Sequence, residues 1–96
     1  MGLPENDLVF KALSVMALEK SLLDTGKQVY DKVIDRLDRE YNCYLPDCYE
    51  HPEYLSAILK KSYGNSHYAI IESIKKQLDE FSYQKPVERF LRIISQ

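Results

Sequence analysis

Residues 52–81 read PEYLSAILKKSYGNSHYAIIESIKKQLDEF. Apolar side chains recur at three- and four-residue intervals on both sides of Gly64. Tyr54, Leu55, Ile58, Leu59 and Tyr63 stand before it; Tyr68, Ile70, Ile71, Ile74, Leu78 and Phe81 follow. That repeat is one face of an α-helix. Pro52 suits a first helical position, where its missing N–H is not needed. Gly64 tolerates the left-handed backbone that ends a helix, and Asn65 or Ser66 suits the cap of the next. The stretch predicts helices over 52–63 and 66–81, joined by a tight turn.

The same reading extends both ways. Val29, Tyr30, Val33, Ile34, Leu37 and Tyr41 form a stripe that predicts a helix over 26–41, with Asp35–Arg39 and Arg36–Glu40 at i,i+4 spacing. Thr25 and Gln28 have capping-box spacing, or Gly26 ends the preceding helix. Pro86 opens a last helix over 86–95 with Val87, Phe90, Leu91 and Ile94 inward. Asn42 to His51 is a loop turned by Pro46 and Asp47. Only Tyr41 to Leu45 weakly suggests a strand. The fold class predicted is all-α, a compact bundle of four to five helices in one domain over residues 1–96.

A first helix over 7–23 carries apolar residues at Leu8, Val9, Ala12, Leu13, Val15, Met16, Ala17, Leu22 and Leu23. Only the line Asp7, Lys11, Ser14, Ser21 is consistently polar. So wide an apolar face fits either the central helix of the bundle or part of a dimer contact. Leu8, Val15, Leu18 and Leu22, on the side away from Leu13 and Met16, are the expected contact.

The chain has 96 residues, 13 basic and 15 acidic, with a net charge of −2. That balance excludes a globally basic nucleic-acid binder. The charge is nevertheless uneven. Residues 1–50 hold six basic and ten acidic side chains, and residues 51–96 hold seven and five. Leu8 to Leu18 is broken by Lys11 and Ser14, so no membrane contact by a spanning helix is expected. MGLPEND lacks a basic n-region, and a cytoplasmic protein with free thiols is expected.

Catalytic signatures are not evident. Gly2, Gly26 and Gly64 stand too far apart for a phosphate loop, and HExxH and GxSxG do not occur. We expect no enzyme activity, no catalytic residues and no cofactor. Cys43, Cys48 and His51, spaced C-x4-C-x2-H, with His67 as a fourth donor, are the metal candidates, although their spacing matches no standard zinc site. Of the eight tyrosines, Tyr41 and Tyr54 read as core-edge residues, while Tyr44 and Tyr49 fit either loop packing or a contact patch. A nucleic-acid alternative uses the turn at Gly64 as a helix-turn-helix, with Lys75, Lys76, Lys85 and Arg89 on phosphates. Ile70 fits that pattern, whereas Lys60 and Ser73 depart from it.

Arg39-Glu40-Tyr41-Asn42, then His51-Pro52-Glu53-Tyr54-Leu55, then Ala57 to Ser66 and the Ile-rich Ile70 to Leu78 occur in an order that resembles small archaeal all-helical domains, the Nitrosopumilus output domains. The resemblance spans roughly Lys11 to Phe81. It implies an archaeal, cytosolic interaction or regulatory module, an output part of signalling, with no catalytic residues to carry over. The expected function is therefore a non-enzymatic interaction module with a homodimer or another protein as its partner.

Overall fold

The computed structural model describes the backbone of residues 4–96 and the side chains from Leu8 onward. Five α-helices follow one another: α1 Pro4–Thr25, α2 Lys27–Tyr41, α3 Pro52–Tyr63, α4 His67–Gln77 and α5 Lys85–Ile94. No strand occurs among the described residues. The all-α reading holds, with shifts at the ends. The first helix runs past 7–23 at both ends. The expected helix over 66–81 stops at Gln77, where a separate 3-10 turn, Asp79–Phe81, begins. Asn42 to His51 contains a 3-10 turn of its own, Leu45–Tyr49, and Tyr41 to Leu45 forms no strand.

The joints follow from local chemistry. Gly26 alone separates α1 from α2 at φ +155°, a backbone that only glycine adopts without strain. Its N–H donates to the Leu22 carbonyl at 3.0 Å, and its own carbonyl accepts from Val29 and Tyr30. The capping box expected of Thr25 and Gln28 is not formed. Thr25 stays in α1, and its hydroxyl donates to the Ser21 carbonyl. Asn42 closes α2 at φ 52°, ψ 45°, the left-handed conformation that asparagine tolerates. Pro52 and Pro86 sit in the first turns of α3 and α5. Lys60–Lys61 and Lys75–Lys76 occupy the last turns of α3 and α4, where they complement the helix dipole.

Every helix contributes to one core. Fully enclosed side chains include Leu22 of α1, Leu37 of α2, Leu59 of α3, Ile74 of α4 and Phe90 and Ile94 of α5. The Cα radius of gyration is 12.7 Å, against about 12.5 Å expected for a folded chain of this length. No helix among the described residues is long and apolar enough to cross a membrane.

α1 touches α2, α4, α5 and the Leu45–Tyr49 turn. α3 likewise touches three helices, so α1 shares the middle of the bundle with it, and the face α1 turns inward is unexpected. Ser14 and Ser21, read from the sequence as part of the polar outer line, are fully buried. Asp7 of that line falls outside the described side chains, and Lys11 reaches Glu50 at 3.0 Å. Small side chains let neighbouring helices approach closely. Ser21 then accepts from Ser73 (2.9 Å) and Gln77 (2.8 Å), binding α1 to α4. The Ser14 hydroxyl has no hydrogen-bond partner among the described residues. The two serines are therefore expected to respond differently. Ser21→Ala costs about 1–3 kcal/mol, because two donors lose their acceptor, whereas Ser14→Ala is neutral or stabilising by up to about 1 kcal/mol. Urea unfolding of the two variants measures both.

Candidate functional site

With serines turned inward, apolar residues of α1 are left outside. Leu8 is 62 % exposed, Val9 53 %, Met16 67 % and Leu23 45 %. Val9, Met16 and Leu23 are seven residues apart, so two turns bring each back over the last with only a slight drift. Ala12, also exposed, lies between the first two. A shallow groove of about 430 Å³ runs along this seam, where Leu13 and Ala17 face Leu78 and Phe81. Glu19 and the Lys20–Asp24 pair (3.1 Å) mark its polar edge.

This surface corrects the contact expected from sequence. Leu18 and Leu22 are buried in the core of the same molecule, at 1 % and 0 % exposure, and Val15 is half-buried. Of the four residues, only Leu8 is exposed. Met16, expected on the inner side, is the most exposed of the large apolar side chains described on α1. The reason lies in Ser14 and Ser21. Polarity suggested solvent, but a serine hydroxyl is small and is easily housed between helices. The seven-residue spacing of Val9, Met16 and Leu23 was the available signal for the outer seam.

The other candidate residues are dispersed. Tyr49 is buried (8 %), 6.2 Å from the Phe90 ring, so it cannot join Tyr44 in a surface patch. Tyr44 is 75 % exposed. Tyr41 and Tyr54 stack at 4.2 Å, and His51 stacks on Tyr54 at 4.8 Å. Instead of approaching the cysteines, His51 lies with Nδ1 3.3 Å from a Glu53 carboxylate oxygen. His67 is buried at the start of α4 and donates from Nδ1 to the Gly64 carbonyl at 2.6 Å, a bond that fixes the turn. No group of three or more His, Cys, Asp or Glu among the described residues is placed to share one ion, so Cys43, Cys48, His51 and His67 do not converge.

The basic residues of the nucleic-acid alternative are also separated by acids. Lys75 and Lys76 share a hollow with Glu72 and Asp79, and Lys85 and Arg89 share another with Glu50. Ser73, in the expected reading helix, is hydrogen-bonded to Ser21 of α1.

The two thiols are free, and both are held in the neutral form. Burial pushes the Cys48 thiol up to about 12, helped by Cys43, Asp47 and Glu53. Cys43 is raised by burial and by Asp47. Thiolate is the reactive form. Alkylation of the native protein at pH 8 is therefore expected to be slow at Cys43 and to spare Cys48, with both labelled promptly in denaturant; mass spectrometry reads the sites. The same displacement lowers fold stability as pH rises above the ordinary thiol value of 9.0, because the unfolded thiol then ionises and the buried one does not.

No family model matches the chain, and no significant match is found among curated proteins or solved structures.

Proposed function

We propose that this chain is a non-enzymatic protein-interaction module that self-associates through the outer face of α1. The observation that carries the reading is the exposed apolar seam Val9–Met16–Leu23. Its spacing is self-complementary. Two antiparallel copies of α1 related by a twofold axis at Met16 place Val9 of one against Leu23 of the other, and Met16 against Met16. Ala12 then falls opposite Lys20, leaving room for the lysine stem to lie along the contact with its charge at the edge. An isologous contact of this kind closes at two copies. Small domains have little core, and pairing is a common remedy.

The resemblance to archaeal output domains supports a regulatory, cytoplasmic setting in which the pairing presents or withholds a surface. The nucleic-acid reading needs a continuous basic face, and the interleaving of Lys75, Lys76, Lys85 and Arg89 with acids argues against it.

Light scattering coupled to size exclusion, at low and high salt, tests this reading. A dimer mass is expected at both, because the contact is apolar. Met16→Glu sets two carboxylates against each other at the axis and is expected to weaken pairing about a hundredfold, ~3 kcal/mol, with helicity by circular dichroism unchanged. Wild-type protein that stays monomeric at high concentration overturns the reading.

A further inference from the structure

The opposite flank of α1 has a different character. Between α1, α2 and the Leu45–Tyr49 turn lies a groove of about 500 Å³. Its floor is apolar: Val15 from α1, Ile34 from α2, and Cys43 and Leu45 from the loop. The Cys43 thiol is kept neutral by its surroundings, so it belongs with the apolar floor. The rim is acidic. Asp31, Asp35 and Asp38 follow α2 at i, i+4 and i+7, and Glu19 faces them from α1. No lysine or arginine lines this groove.

Little of that charge is firmly compensated. Lys27 meets Asp31 at 3.1 Å and Arg39 meets Asp35 at 2.9 Å, both as exposed i,i+4 pairs of the kind that exchange readily. Asp38 has no ion pair among the described residues. Among the described residues Glu19 meets only the Tyr30 hydroxyl, at 3.5 Å. At one end stands Tyr44, its side chain 75 % exposed and its backbone held. Its N–H donates to Asp47 Oδ2 at 2.8 Å, and its carbonyl accepts from the Asp47 N–H at 3.0 Å. An exposed ring beside carboxylates suits a cation.

We infer that this groove docks a basic amphipathic segment of another protein, one apolar side chain seated over Val15, Ile34 and Leu45 and lysine or arginine residues reaching Asp35, Asp38 and Tyr44. The acids extend about 10 Å along α2, so a single small cation leaves most of them unmatched, whereas a helix with cations every three or four residues meets the row. A second copy of this chain does not serve. Its most basic helix, α5, turns Val87, Phe90, Leu91 and Ile94 into its own core and holds Ile93 half-buried, so it offers no fully exposed large apolar anchor. Nucleic acid is repelled by the rim. The inference is independent of self-association, because Asp35, Asp38 and Tyr44 lie off the α1 seam.

The test uses a labelled Leu/Lys amphipathic peptide of about four helical turns and reads fluorescence anisotropy. The peptide is expected to bind the wild-type protein more weakly as salt rises. Asp35→Asn/Asp38→Asn is expected to weaken binding at least about tenfold, and Tyr44→Ala several-fold. Glu72→Gln/Asp79→Asn, the same charge change on α4, is expected to leave binding unchanged. Equal loss in the two double variants reduces the attraction to net charge and overturns the inference, as does unaltered binding in the groove variant or no binding at low salt. Light scattering on the same samples reports the oligomeric state separately, and Asp35→Asn/Asp38→Asn is expected to keep the wild-type mass.

Discussion

The hydrogen bonds that Ser73 and Gln77 make to Ser21 hold the arrangement on which the rest depends. They bind α1 to α4 across a line of small side chains. The two bonds a buried hydroxyl accepts offset the cost of its desolvation and give the contact a register that apolar packing alone does not. Once Ser14 and Ser21 point inward, α1 has only one rotation about its axis. Leu18 and Leu22 go into the core, and Val9, Met16 and Leu23 go out.

That rotation gives α1 two unlike flanks. Toward α4 the surface is apolar, with Met16 and Leu23 beside Leu13 and Phe81. Toward α2 an apolar floor is ringed by Glu19, Asp31, Asp35 and Asp38. Both flanks are set by one helix, so a shift of α1 against α4 alters the two together. The proposed pairing and the proposed docking of a basic segment are therefore mechanically adjacent, meeting at Glu19 on the rim of both grooves, while Met16 on one side and Asp35 and Asp38 on the other carry them.

Most of the fold was legible in the sequence because its signals are local. Apolar stripes at helical spacing, Pro52 and Pro86 at helix starts and Gly64 after Tyr63 needed no tertiary knowledge. The candidate surface was not legible in the same way. On α1 most positions between Leu8 and Leu23 are apolar or small, so periodicity does not choose a face, and the choice falls to which side chains fit between helices. Ser14 and Ser21 fit because they are small. Tyr49 and His67 stayed open for a related reason: each is an amphipathic ring whose polar end permits either exposure or burial. His67 is buried with Nδ1 on the Gly64 carbonyl, and Tyr49 packs near Phe90. The acid row on α2 was visible as charge, but its place beside Val15 and Leu45 required the fold.

The central claim is that α1 turns serines inward and an apolar, self-complementary seam outward. Methyl nuclear Overhauser spectroscopy tests it most directly. Along one helix Val9 and Leu23 are about 21 Å apart, far beyond the reach of the effect, so any cross-peak between them arises between copies. The account expects a Val9–Leu23 methyl cross-peak that disappears in Met16→Glu. Its complete absence in concentrated wild-type protein, with the Leu18 and Leu22 methyls showing contacts between copies instead, contradicts the account.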